Sequence, residues 1–219
     1  MTFHIISLFP KAFDSYLGES ILKRAIEDKK IKVRFYNPRD FARDKHARVD
    51  RRAYGGGPGM VIQAEPVIRA IARVHSHILK NMRMKSRIKI LWLTPRGGQF
   101  TNDRAIGYAK KYTDLIIICG RYEGIDARVK KVFKVEEVSV GPFVLTGGEL
   151  AAEIIIDAVA RQVRGVLGDP ASREETRAAA ADVYTRPEIF SYKGKKYRVP
   201  EILLTGHHAN IENWRAGRK

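Results

Sequence analysis

The residues that could do chemistry fall into two groups. Three apolar stretches each end in small residues: "LTPRGG" (Leu93 to Gly98), "CGRYEG" (Cys119 to Gly124) and "VGPFVLTGGE" (Val140 to Glu149). Ligands of α/β proteins usually bind at strand ends, where glycine lets a ligand approach backbone N–H and C=O groups closely. Neutral loops lined by backbone groups and apolar side chains suit an adenosine-like ligand. The second group is acidic. In "ASREETRAAAAD" (Ala171 to Asp182) Glu174 and Glu175 stand side by side among alanines and arginines. A plain linker, a helix start and a loop carrying a working carboxylate all fit that stretch.

Several standard centres are set aside. "GGGPGM" (Gly55 to Met60) lacks the Gly-Lys-Ser/Thr of a P-loop. No G-x-G-x-x-G follows the first strand, which counts against a Rossmann dinucleotide site. His207 and His208 are adjacent and have no cysteine partners, a poor spacing for metal ligands, so no metal is expected. Cys119 closes an apolar run and reads as a buried structural thiol. As the sole cysteine it excludes an internal disulfide and suits a reducing compartment. Thr146-x-x-Glu149 fits a capping box that starts the following helix.

The elements that must position these loops follow from periodicity. "FHIISLF" (Phe3 to Phe9) reads as a buried first strand rather than a signal peptide. Alternating Ile31, Val33 and Phe35 predict a second strand. Val67, Ile68, Ile71, Val74, Ile78 and Leu79 fall near helical spacing behind Pro66, which suits a first turn. "RIKILWLTP" predicts a strand ended by Pro95, "TNDRAIGYAKKY" a helix, and "DLIIICG" a fully buried parallel strand. "VEEVSVG" gives a further strand. "GELAAEIIIDAVARQV" gives a helix with Leu150, Ile154, Ile155, Ala158 and Val159 on one face. This alternation predicts an α/β fold with a largely parallel sheet over residues 1–163. A linker over 164–182 and a small helical C-terminal domain over 183–219 complete the expected organisation.

Charge points to the partner. The chain has 41 Lys and Arg against 24 Asp and Glu, a net charge of +17 over 219 residues. From Pro66 to Asn102 there is no acidic residue, yet Arg69, Arg73, Lys80, Arg83, Lys85, Arg87, Lys89 and Arg96 are present. Such a field draws polyanions, and nucleic acid is the expected partner. No apolar run approaches the roughly 18 residues that span a bilayer. No segment pairs a large apolar face with a basic one, so a membrane partner is not expected.

"YGGGPGM", "CGRYEGID", "VLTGGEL", "IDAVAR", "GVLG", "YTRPE" and "GHHANIENWR" occur here in the order seen in bacterial tRNA (guanine-N1)-methyltransferases of the TrmD type. The chain resembles that family over essentially its whole length. The resemblance implies an S-adenosylmethionine-dependent enzyme of the SPOUT class, whose α/β domain is tied in a deep trefoil knot. It also implies an obligate homodimer in the cytoplasm and a C-terminal domain that binds RNA. The implied reaction is methylation of N1 of the guanosine just 3′ of the tRNA anticodon (guanine 37).

By the same resemblance, Pro95, Gly97, Gly120, Tyr122, Glu123 and Gly124 line the cofactor pocket together with Val140, Gly141, Pro142, Phe143, Val144, Leu145, Gly147 and Gly148. Asp50, Gly57, Gly59 and Met60 are implied to help hold the target guanine. Arg161, at the end of the long helix, is implied to stabilise charge on guanine O6.

The base that takes the N1 proton is, in the family, an aspartate in the loop after "GVLG". That loop is shorter here. Aligned without a gap, Thr176 falls at the aspartate position. With one residue deleted before Glu174, Glu175 takes that place. Asp182 is a further candidate, and Ser172-x-x-Glu175 also fits a helix-capping box.

Overall fold

The computed structural model describes residues 1–80, 86–168 and 182–216. Two compact units are formed, Met1–Val166 and Leu167–Lys219.

The first unit is built on five parallel strands in the order β2-β1-β6-β5-β7. They are β1 (Thr2–Ile6), β2 (Lys32–Tyr36), β5 (Ile88–Gln99), β6 (Asp114–Ile118) and β7 (Glu136–Ser139). A two-stranded antiparallel ribbon of β3 (Asp50–Arg51) and β4 (Val61–Ile62) stands apart from them. Strand β6 has partners on both sides, and its Leu115, Ile116, Ile117 and Ile118 are fully buried. A continuous apolar run is what a strand covered on both faces requires.

Strand alternation divides the core. Phe3, Ile5, Leu91, Leu93, Leu115 and Ile117 pack on one face with α1 (Asp14–Leu17), α2 (Ser20–Glu27), α4 (Asn102–Lys111) and α6 (Glu149–Ala160). Ile6, Ile90, Trp92, Ile116 and Ile118 pack on the other with α3 (Ala64–Lys80) and α5 (Val129–Val132). The result is a three-layer α/β arrangement with a mostly parallel sheet, as the sequence pattern predicts.

The structure corrects four expectations. Strand β5 does not stop at Pro95. It runs to Gln99, but Leu93 and Gly98 both oppose Val138, so the residues between them bulge out of the ladder. Proline has no N–H for the ladder, and a bulge is how a strand accommodates it.

The buried stripe of α6 is Ala151, Ala152, Ile155, Ile156, Val159 and Ala160, whereas Leu150 and Ile154 face outward at 54% and 40% exposure. This helix is apolar almost all round, so periodicity alone could not choose its inner face. The small alanines mark the side that lies close to the sheet. Leu79 at the end of α3 is exposed as well.

Gly148 caps α6, which puts Glu149 at the first helical position rather than the third, so Thr146 and Glu149 form no capping box.

Finally, the second unit is not simply helical. It holds a hairpin of β8 (Ile189–Tyr192) and β9 (Lys195–Arg198), then a 3-10 turn, before α7 (His208–Ala216). The hairpin's cations interrupt any apolar alternation, which hides its strands from a pattern search.

Candidate active site

The loops after β5, β6 and β7 meet at the carboxyl ends of the strands and enclose a cavity of ≈ 260 Å³. Leu93, Thr94 and Pro95 form one wall, Gly120 to Ile125 the second, and Val138 to Val140 with Phe143 to Gly148 the third. Backbone hydrogen bonding explains how the loops hold together. The Gly148 N–H donates to the Gly120 carbonyl at 2.9 Å, and Arg121 and Gly147 form an isolated antiparallel bridge.

Gly148 must be glycine for steric reasons. A Cβ there would lie 2.7 Å from Cys119 Cα and 3.0 Å from the Gly120 nitrogen. The start of α6 is therefore pressed against the end of β6. Cys119 itself is buried, and burial pushes its thiol well above the ordinary range, which suits structure rather than nucleophilic attack.

A buried carboxylate ties three loops together. Ser7 Oγ donates to Glu149 Oε1 at 2.7 Å, and Arg121 Nε donates to Glu149 Oε2 at 3.0 Å. Arg121 also donates to the Thr146 carbonyl at 3.3 Å, and its guanidinium lies 4.7 Å from the Phe9 ring centroid. Glu149 is 5% exposed, so its charge is held by these donors rather than by water. The loop after β1 is thus joined to the second and third walls.

The glycine loop between β3 and β4 docks beside the cavity. The Glu123 N–H donates to the Met60 carbonyl at 3.0 Å, and the Ile62 N–H to the Gly124 carbonyl at 3.0 Å. A Cβ on Gly59 would meet Glu123 Oε1 at 2.7 Å. Gly55, Gly56, Gly57 and Gly59 all take positive φ, a conformation that costs other residues strain. Tyr122 takes φ 58° on the cavity wall and is strained in the same sense. Asp50 pairs with Ile62 across the ribbon, so it belongs to the same patch.

Of the expected cofactor residues, Pro95, Gly120, Tyr122, Glu123, Gly124, Val140, Phe143, Val144, Leu145, Gly147 and Gly148 line the cavity. Gly97, Gly141 and Pro142 are not among its lining residues. A Cβ on Gly97 would come within 2.4 Å of the Val138 nitrogen, so its smallness serves strand packing. A Cβ on Gly141 would enter the Phe143 ring. Ser139 Oγ holds this turn by donating to the Gly141 carbonyl at 2.9 Å.

Arg121 is a side chain that sequence reasoning passed over, and Glu149 one that it read only as a helix cap. The signal was present: a cation between glycine and tyrosine at a strand end, and a carboxylate directly behind a Gly-Gly pair.

Of the catalytic candidates, Arg161 is not part of this cavity's lining. Arg161 caps the far end of α6, about 18 Å along the helix from Glu149 at 1.5 Å per residue. Gly165, just beyond it, packs on Lys30 ahead of β2, at the opposite end of the sheet from the loops. Asp182 belongs to the second unit and lines a separate cavity there with Tyr184, Arg186 and Arg215. Glu174, Glu175 and Thr176 lie outside the described residues. Among the described residues no cluster of three His, Cys, Asp or Glu could hold a metal, and no helix is long and apolar enough to cross a membrane.

A family model described as "tRNA (Guanine-1)-methyltransferase TrmD" matches residues 1–219. A tRNA (guanine-N(1)-)-methyltransferase of Caldanaerobacter subterraneus subsp. tengcongensis is 45% identical over 219 residues, covering 98% of this chain and 85% of the relative. One of Geobacter sulfurreducens is also 45% identical, covering 98% and 84%. One of Clostridioides difficile is 41% identical, covering 98% and 90%. Matched from end to end by the family model and at this identity by relatives of similar length, the chain belongs to the TrmD family of tRNA (guanine-1)-methyltransferases.

Proposed function

We propose that the chain transfers a methyl group from S-adenosylmethionine to N1 of the guanosine just 3′ of the tRNA anticodon (guanine 37). The observation that carries this reading is the neutral cavity made by three strand-end loops, in a chain of this family with a net charge of +17. Its donor set fits the cofactor. Apolar Leu93, Val138, Val140 and Leu145 offer surface for an adenosine, and glycine backbone offers N–H and C=O groups. Arg121 and Glu123 offer one charge of each sign for an amino-acid moiety. When bound, the cofactor supplies an electrophilic methyl carbon on sulfur.

The chain's own residues have three tasks. Guanine N1 carries a proton at neutral pH and attacks poorly until it is lost, so a carboxylate must take that proton. Glu175 or Asp182 is assigned this role. Charge then gathers on O6, where a cation stabilises it, and Arg161 is assigned there. Asp50, Gly57, Gly59 and Met60 line the patch beside the cavity that would hold the flipped guanine.

The separation of Arg161 from the cavity supports a homodimer in which a second copy brings its arginine to the site. The outward Leu150 and Ile154, on the same helix, offer apolar surface for that contact. A trefoil knot belongs to this reading too. The pressing of Gly148 onto Cys119 and the strand order β2-β1-β6-β5-β7 are consistent with it. A tRNA substrate argues for a cytoplasmic location, and the second unit is read as an RNA-binding domain.

The test uses the purified chain, labelled S-adenosylmethionine and a tRNA transcript bearing guanosine 3′ of its anticodon, with the product nucleoside mapped by mass spectrometry. Label on N1 of that guanosine is expected, and its absence refutes the reading. Glu175→Gln is expected to lower kcat by roughly 100-fold or more with cofactor affinity kept. A near-normal rate there beside a collapse in Asp182→Asn reassigns the base.

A further inference from the structure

We propose that the β8–β9 hairpin is a stacking platform for unpaired RNA nucleotides, an inference that rests on the tRNA-methylating reading above. The register pairs Phe190 with Tyr197 and Tyr192 with Lys195. Residues directly opposite one another share a face, and residues two apart along a strand share it too. Phe190, Tyr192, Tyr197 and Lys195 therefore form one face, and Ile189, Ser191, Lys196 and Arg198 the other.

The aromatic face is open. Phe190, Tyr192 and Tyr197 are 55%, 59% and 40% exposed. Phe190 stacks on Tyr197 at 5.1 Å with a 13° interplanar angle, which accounts for those two rings as a cross-strand brace. That brace does not require Tyr192, which stands nearer the tip, nor the cations gathered over the rings. Lys193 Nζ lies 5.5 Å from the Tyr192 centroid, and Lys195 Nζ lies 5.6 Å from the Tyr197 centroid. Lys193 also occupies a left-handed turn position (φ 49°) beside Gly194, where asparagine, aspartate or glycine is the easier choice.

Charge complementarity names the occupant. Lys193 and Lys195 beside the rings, and Lys196 and Arg198 on the opposite face, are accompanied by no acidic residue from Ile189 to Pro200. Exposed rings with lysines lying over them match a nucleotide on both counts, since a base has a π-face and a phosphate carries negative charge. Stacking of this kind needs bases that are not already stacked in a duplex, so the platform selects loops and single strands. An acidic protein segment would use the cations and leave Tyr192 idle.

The test measures binding of a tRNA transcript, and of an RNA duplex without loops, to the full chain by fluorescence anisotropy. Tyr192→Leu is expected to weaken tRNA binding about 10-fold and duplex binding little, because base stacking on an aromatic is lost. Tyr192→Phe is expected to keep it, which separates loss of stacking from loss of fold. Lys193→Gln/Lys195→Gln is expected to lower the slope of log K against log salt by about 1.4 to 1.8, at roughly 0.7–0.9 per lost phosphate contact. Cofactor affinity and kcat at saturating tRNA should stay at wild-type values in all of them.

Wild-type tRNA affinity in Tyr192→Leu, while the unaltered chain methylates guanine N1, overturns the platform and leaves the enzymatic reading standing. Hairpin-dependent tRNA binding in a chain that methylates nothing does the reverse. Unaltered tRNA binding and salt slope in the double lysine variant, with loss of adhesion to anionic vesicles or to an acidic peptide, also overturns the platform.

Discussion

Gly97→Ala isolates the contribution of one close backbone approach to cofactor binding. A Cβ at this position would lie 2.4 Å from the Val138 nitrogen, 2.5 Å from the Val138 carbonyl carbon and 2.6 Å from that of Glu137. All three are backbone atoms, so no rotamer relieves the clash. Ordinary contact begins at 3.4 Å, so the two strands must part by the difference from 2.4 Å, about 1 Å. Overpacking of this kind costs about 1–3 kcal/mol, and disturbing a ladder hydrogen bond adds about 1 kcal/mol. At about 2–4 °C per kcal/mol for a chain of this size, Tm should fall by about 4–16 °C. Val138 and Ser139 line the cavity, so they move with the strand. A wall displaced by about 1 Å loses close contact with a bound ligand, so cofactor affinity should fall. Thermal melting and calorimetric binding of S-adenosylhomocysteine read the two effects separately. Gly107→Ala is the control. It lies inside α4, and a Cβ there meets nothing within 4 Å among the described residues. That variant should gain about 0.5–1 kcal/mol from the helix propensity of alanine. A Gly97→Ala chain that melts and binds like wild type would refute the assignment of Gly97 to strand packing.

Glu149→Gln should lower stability by about 2 kcal/mol, since a buried hydrogen bond between charged groups is lost while Ser7 keeps an acceptor. Cofactor affinity should fall with it because Arg121 and Thr146 line the cavity, and an unchanged Tm refutes the bridging role. The pH dependence has a definite sign at His75. Burial, and then the nearby His4, lower its pKa below the ordinary 6.5, and its Nε2 is buried without a hydrogen-bond partner among the described residues. The unfolded chain therefore takes up the proton first as pH falls, so stability is full above about 6.5 and declines below it. His77 shifts the same way, so His75→Leu should flatten only part of the loss in Tm between pH 7.5 and 5.5. A steeper decline in that variant would exclude His75 as a source.

Much of the sheet was legible because its strands are short, apolar and bounded by glycine, proline or aspartate. "DLIIICG" could be only a covered strand, and β6 sits at the centre of the sheet. The three loops were legible for the same reason: glycines at strand ends converge when the strands are parallel. What could not be read was which glycines face the ligand and which face another strand. Gly97 and Gly148 both sit in small-residue loops, yet one opposes the β7 backbone and the other lines the cavity. That difference is tertiary and leaves no trace in spacing. The inner face of α6 was illegible because leucine and isoleucine occur on both sides of the helix. The capping-box spacing at Thr146 misled because Glu149 already has two stronger partners, the Ser7 hydroxyl and the Arg121 guanidinium.

The position of Arg161 limits what sequence motifs can say about a site. "VLTGGEL" and "IDAVAR" are neighbours in the chain, and a reader of the sequence places both at one centre. A helix separates them by length. Twelve residues from Glu149 carry the chain about 18 Å, from the carboxyl ends of the strands back to the end where Lys30 stands. Two motifs joined by a straight helix cannot both touch one small molecule at the first of them. Either Arg161 acts on the cavity of a second copy, or its role is not at the cavity. The homodimer reading takes the first branch. It gives one account of both the distant arginine and the apolar Leu150 and Ile154 on the outward side of the same helix.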